Sequence, residues 1–180
     1  PSYDIRSNIK LQNKLKELYT KGFDIGLHGS YDSAKSLEKL KKEKNILEQS
    51  LGIEIKKTRQ HWLNYFEEIT PEIHENLFKY DSTLAWNDRM GFRSGIASIY
   101  TPYNFKKQEA YSYQIIPQII MDSNVYDYSD SVEIFNEAKN IMQKSKDLSK
   151  TTHVSISWHQ RVCSNDYNWN KFYEEIIDDI

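Results

Sequence analysis

Gly22-Phe23-Asp24-Ile25-Gly26-Leu27-His28-Gly29-Ser30-Tyr31-Asp32 is the stretch on which the fold turns. Ahead of it, Leu11, Leu15, Leu18 and Tyr19 recur at helical spacing from about Ser7 to Lys21, and Gly22 is a helix stop signal. Phe23 to His28 then reads as a short strand running into a polar loop. A second helix is predicted from about Ala34 to Leu51, with Leu37, Leu40, Leu47 and Leu51 on one face and Gly52 ending it. Glu38 and Lys42 support its solvent face at i, i+4.

The same grammar continues along the chain. Ile53 to His61 is a predicted strand, and Thr70-Pro71 starts a short helix that runs to about Phe78. A strand follows from Tyr80 to Trp86, then a long aperiodic loop from Asn87 to Gln114. Ile115 to Met121 reads as an apolar strand interrupted by Pro117. Val132, Phe135, Ile141 and Met142 mark a helix, His153 to Trp158 a strand, and Trp169 to Ile177 a last helix. Strands alternating with helices imply βαβ units, an α/β fold and a mostly parallel sheet of about five strands. No repeat, low-complexity tract or linker divides the chain, so residues 1–180 are expected to form a single domain.

Composition narrows the function. The chain has 180 residues with 24 Lys+Arg against 26 Asp+Glu, a balance that argues against a nucleic-acid partner. No apolar run approaches the ~18–20 residues that span a bilayer. Seven Phe, 4 Trp and 13 Tyr supply core material that a disordered chain lacks. The lone Cys163 offers neither an internal disulfide nor a CxxC metal pair. The chain starts at Pro1 without Met and without the basic and apolar regions of a signal peptide, which suggests a processed product or a fragment. Its Lys-, Asn- and Ile-rich composition suggests a bacterial source, with a cytoplasmic or envelope-associated location. Oligomeric state is not legible.

In α/β folds of this kind chemistry gathers at the C-terminal ends of strands. Those positions hold His28 and Asp32, then Arg59 and His61, then Asp88 with Arg93, then Asp122, and last Trp158 and His159. Each has a plain reading beside the chemical one. His28 is either a hydrogen-bonded core histidine or a metal ligand. Asp32, or Ser33 beside it, is a favoured N-cap for the helix near Ala34, and a cap is compatible with ligation. Arg59 either closes a strand at the surface or holds a carboxylate by a bidentate pair. His61 could reach a metal or a substrate, and Trp62 follows it as a candidate sugar contact. His159 is either an interior histidine or a general acid or base. His74 lies beside Glu72 and Glu75 and reads as solvated, and His153 opens its strand away from the reactive end. The aromatic residues of the 87–114 loop, Tyr100 among them, either stack on a sugar or pin the loop in place.

These residues resemble the polysaccharide deacetylases (NodB-homology, carbohydrate esterase family four). Gly22 to His28 is similar to that family's G-x-E-I-G-x-H stretch. In order along the chain follow Arg59-Gln60-His61-Trp62-Leu63, Tyr80-Asp81-Ser82-Thr83-Leu84 and Gly91-Phe92-Arg93-Ser94-Gly95. Pro117 to Asp122 and Val154 to His159 complete the series, so the resemblance covers nearly the whole chain as a divergent branch.

The resemblance implies a distorted (β/α) barrel of about seven strands, a divalent metal, often zinc, held by an Asp-His-His triad, and removal of N- or O-acetyl groups from a carbohydrate. His28 matches the first ligand histidine, while Asp32 stands where the second is expected. Either His61 replaces that second histidine or Asp32 ligates directly. Arg59 matches the arginine that orients a catalytic carboxylate, without the usual proline after it, and His159 matches the general acid. Asp88 completes the candidate catalytic set, and Trp62, Arg93, Tyr100 and Trp158 are the candidate substrate contacts. The family's aspartate pair has no counterpart before Ser7 and is expected upstream of Pro1, so this chain alone is expected to be an incomplete barrel without deacetylase activity. The rival reading is a non-catalytic carbohydrate-binding or scaffold protein on the same barrel; a metal phosphoesterase ranks last, for want of a bimetal cluster or a Gly-rich phosphate loop.

Overall fold

The computed structural model describes residues 4–126, 132–148, 153, 155–164 and 170–178. Val154 and Trp169, used above to bound a strand and a helix, lie outside them. The chain divides into two compact units, Pro1–Thr83 with Thr101–Ile115, and Leu84–Tyr100 with Ile116–Ile180.

The first unit opens with helix α1 (Ile9–Thr20), where the Asn8 side chain accepts the Leu11 N–H. Leu11, Leu15 and Leu18 are half-buried along it. The helix closes when Gly22 takes φ +91° and the Phe23 N–H reaches the Leu18 carbonyl at 3.1 Å, an ending that only a glycine enters cheaply. Strand β1 (Leu27–Gly29) follows, then a 3₁₀ turn over Tyr31–Lys35 and helix α2 (Leu37–Leu51). The expected start of α2 is corrected. Ser36, in extended conformation, separates the turn from the helix, and its hydroxyl rather than Asp32 or Ser33 caps the helix by accepting the Lys39 N–H. Gly52, left-handed at φ +70°, ends the helix as expected.

Strand β2 (Lys57–Gln60), helix α3 (Thr70–Glu75), with Pro71 in its first turn, and strand β3 (Tyr80–Asp81) come next. The stretch predicted as loop then forms an antiparallel hairpin, β4 (Tyr103–Asn104) with β5 (Glu109–Ala110), ahead of β6 (Gln114–Ile115). Strands β1, β2, β3 and β6 lie side by side in that order, every neighbouring pair parallel. Leu27, Leu40, Ile55, Ile73 and Phe78 form the core between sheet and helices. Each such side chain contributes about 1.5–3 kcal/mol by leaving water.

The second unit contains β7 (Ile120–Met121), α4 (Asp122–Tyr126), α5 (Val132–Leu148), β8 (Ile156–Ser157) and α6 (Asn170–Asp178). β7 and β8 pair in parallel, Met121 opposite Ser157. Ile119, Ile120, Val125, Ala138, Met142, Phe172 and Ile176 form its core. The strand predicted over Ile115–Met121 is thus two strands in two different sheets. Pro117 lies between them and has no N–H with which to continue a ladder. Among the described residues the expected five parallel strands become six, and the α/β class with a parallel sheet stands. No described helix is long and apolar enough to cross a membrane.

Candidate functional site

β1 and β2 run in register, His28 beside Arg59 and Gly29 beside Gln60, so the two chains leave the sheet together at their C-terminal ends. Leu27 and Gly29 face inward, as do Thr58 and Gln60, which leaves His28 and Arg59 on the opposite face. Directly after Gln60 the chain turns, and His61 Nδ1 comes to 3.1 Å from His28 Nε2, the rings edge to face with centroids 5.2 Å apart. Both imidazoles are exposed. At that distance one nitrogen carries a proton and the other accepts it, or both face a shared cation.

The turn that delivers His61 is strained. Trp62 and Leu63 adopt φ +57° and +52°, a region bulky L-residues avoid. Leu63 is buried and anchors the turn, and Asn64 Nδ2 donates to the Tyr31 carbonyl at 2.9 Å. Trp62 is left 69% exposed, its ring 6.4 Å from that of His61.

Arg59 Nε donates to Ser82 Oγ at 3.1 Å. Burial pulls its guanidinium below its ordinary value and the Asp81 charge opposes that, and it remains a cation. Beneath the two histidines lies a buried polar layer. The Gln60 amide spans Ser33 Oγ at 3.1 Å and His74 Nε2 at 2.8 Å, and His74 Nδ1 stands 3.2 Å from Asp81 Oδ2. The other Asp81 oxygen accepts the N–H and hydroxyl of Thr83, whose hydroxyl oxygen accepts the Gln60 N–H. His74, expected to be solvated, is fully buried. Thr70, Pro71, Ile73, His74 and Phe78 all turn inward, and the neighbouring Glu72 and Glu75 occupy the outer face.

In the second unit β7 and β8 end together, and the residues beyond them meet. Asp122 Oδ2 accepts the His159 backbone N–H and lies 2.8 Å from His159 Nδ1. Asp122 is 2% exposed, while the His159 side chain is 51% exposed. Burial alone would raise the Asp122 carboxyl, but hydrogen bonds from the His159 ring and backbone, the ring's charge and the Ser123 N–H outweigh it and hold the group below its usual range. With Nδ1 fixed on the carboxylate, Nε2 is the nitrogen left to exchange a proton.

The other expected site residues lie elsewhere. Asp32 is exposed and pairs with Lys39 Nζ at 3.3 Å. Asp88 is exposed beside Arg89 at 3.1 Å, whose hydrogen bond holds its carboxyl low. Arg93 stands 5.7 Å from the Trp86 ring centroid, on which Arg89 also lies. Tyr100 is half-buried. Trp158 packs against Phe172 and Tyr173 of α6, with centroids 5.9 and 5.6 Å away.

Among the expected ligands, then, His28 and His61 are brought together and Asp32 turns to Lys39 instead. Two imidazole nitrogens on one tetrahedral zinc stand roughly 3.3–3.4 Å apart, from bond lengths of about 2.0–2.1 Å, so the pair fits two corners of such a site. Among the described residues no group of three or more His, Cys, Asp and Glu forms around them. The residues missed by sequence reading are Gln60, His74 and Asp81, and the partnership of Asp122 with His159. Only His74 carried a local signal, its i, i+4 spacing from Phe78 on a face that also bears Pro71.

No family model matches the chain, and no curated protein does either. Among solved structures it is similar to the crystal structure of a probable polysaccharide deacetylase from Pseudomonas aeruginosa PAO1, with a TM-score of 0.57 and 16% sequence identity. The match covers 91% of this chain and 56% of that one, so the chain spans little more than half the neighbour's length. The likeness is one of fold.

Proposed function

We propose that this chain is part of a metal-dependent hydrolase that removes acetyl groups, N- or O-linked, from a carbohydrate, on a barrel of the polysaccharide deacetylase type. The observation that carries the reading is the meeting of His28 Nε2 and His61 Nδ1 at 3.1 Å beyond adjacent parallel strands, in a fold similar to that of a probable polysaccharide deacetylase. In this reading His28 and His61 are two ligands of a divalent metal, with zinc favoured by imidazole donors. When bound, such a metal acidifies water and polarises an acetyl carbonyl.

The chain's own residues supply the remainder. Arg59, a fixed cation held by Ser82 on the His28 face of the sheet, orients a carboxylate. The exposed Trp62 ring offers an apolar face to the C–H face of a sugar, beside His61. In the second unit, His159, its Nδ1 held by Asp122, is the residue suited to give a proton from Nε2 to a leaving amine or alcohol. Water adds the hydroxyl to the acetyl carbon, and acetate leaves.

Metal analysis after equilibration with Zn²⁺ tests the ligand assignment. His28→Ala and His61→Ala are each expected to lower zinc affinity about a hundredfold; retention of metal by His61→Ala overturns the pair as ligands and returns Asp32 to that place. Acetate release from N-acetylated oligosaccharides by the complete protein tests the activity. The exposure of Trp62 also favours a second reading, a carbohydrate-binding protein without turnover. Oligosaccharide binding that Trp62→Ala weakens, with no acetate formed, would select it.

A further inference from the structure

Gly29 and Gln60 sit opposite each other in the β1–β2 register, one directly after His28 and the other directly before His61. A Cβ on Gly29 would lie 2.3 Å from Gln60 Oε1 and 2.8 Å from Ser33 Oγ. Space rather than backbone conformation therefore demands glycine here, because the Gln60 amide fills the place a side chain would take. That amide is wholly buried and tied at both ends, to Ser33 Oγ and to His74 Nε2. Its backbone N–H is tied as well, to Thr83 Oγ1 at 3.0 Å. A glutamine with no exposed atom, bonded from three separate segments, costs desolvation that an apolar residue would avoid. Gly29 and Gln60 are the chain neighbours of the two exposed histidines, and the turn with Trp62 and Leu63 at positive φ follows directly after His61.

We infer that Gln60 is a positioning residue for the His28–His61 pair. Its amide seats the backbone of Gly29 on one side and of His61 on the other, and so sets the separation of the two ring nitrogens. Ser33 and His74 act through Gln60. With the Gln60 Nε2–H given to His74 Nε2, His74 Nδ1 is the nitrogen that lies toward Asp81, 3.2 Å from its Oδ2. Asp81 thus stands against the ring that bonds the amide. The effect on metal affinity rests on the proposed ligand role of the pair; the effect on the geometry of the two rings does not.

The test replaces Gln60 by Met, which keeps the volume and removes the hydrogen bonds, and replaces Ser33 by Ala as a milder second variant. Long-range ¹H–¹⁵N spectra of the metal-free chain report the tautomers of His28 and His61. In the wild type each ring is expected to hold one tautomer, and in Gln60→Met both move toward the averaged signals of free imidazole, with Ser33→Ala moving the same way by less. Co²⁺ affinity of Gln60→Met is expected to fall about tenfold or more. Ile55→Val, in the apolar core of the same unit, is expected to lower the melting temperature without moving the ring signals. Ring signals unchanged in both variants overturn the inference and leave Gln60 a packing residue. If the ring signals move as stated while the wild type takes up no Co²⁺, the positioning role stands and the ligand reading falls.

Discussion

Among the described residues each compact unit contains one carboxylate–imidazole pair, and the two pairs differ in their surroundings. In the first, His74 and Asp81 are both fully buried, with the histidine committed to Gln60 through its second nitrogen. In the second, Asp122 is buried but the His159 ring is half in solvent. The same two functional groups thus give a fully buried pair in one place and a half-exposed ring on a buried carboxylate in the other. What separates them is the second imidazole nitrogen: bonded inside the protein it can only hold a position, whereas open to water it can pass a proton. The pair His28–His61 differs from both, since imidazole faces imidazole with no carboxylate between the two ring nitrogens that meet at 3.1 Å.

The contrast predicts unequal costs. Asp81→Ala removes the partner of a buried imidazole, the anchor of Thr83 and a countercharge for Arg59, and is expected to cost about 3–5 kcal/mol in denaturant unfolding. A loss below about 1 kcal/mol would show that the buried pair holds little. Asp122→Asn loses a charged acceptor to a half-exposed ring and is expected to cost less, about 1–3 kcal/mol near neutral pH. That cost should also depend on pH. The Asp122 carboxyl is held below its unfolded value of about 3.9, so its contribution is present above that value and is lost as pH falls through the folded one. The stability gap between wild type and Asp122→Asn should therefore close as pH falls below about 4; a gap that widens from about pH 5 to about pH 3 would reverse the assignment. The smallest effect belongs to Asp32→Asn, an exposed carboxylate that pairs with Lys39. Its stability should change by less than about 0.5 kcal/mol, and its zinc content should not change.

The sequence was most legible where local rules act alone. Gly22 and Gly52 end their helices by φ values that only glycine takes without cost, and the strand–helix alternation gave the α/β class before any contact was known. Strand limits were less legible. Ile53 to His61 yields only Lys57–Gln60 as ladder, because pairing needs a neighbour at the same height and β1 and β3 are short. The hairpin over residues 103–110 was invisible, since four paired residues make no period. In the candidate site, His28, His61 and Arg59 were named from their places at strand ends. Which of His61 and Asp32 meets His28 was not decidable, because the answer depends on how two loops from different strands fold back.

By itself, the sequence determined the elements and the roster of ionisable groups at their ends, since propensity, capping and alternation are properties of neighbours along the chain. The tertiary structure alone decided the partnerships: His28 with His61 across 33 residues, His159 with Asp122 across 37, and a glutamine beneath a glycine to hold the first pair in place. Such partners are chosen by the register of parallel strands and by the burial that leaves a polar group one place to bond, and neither is written in any local stretch of chain.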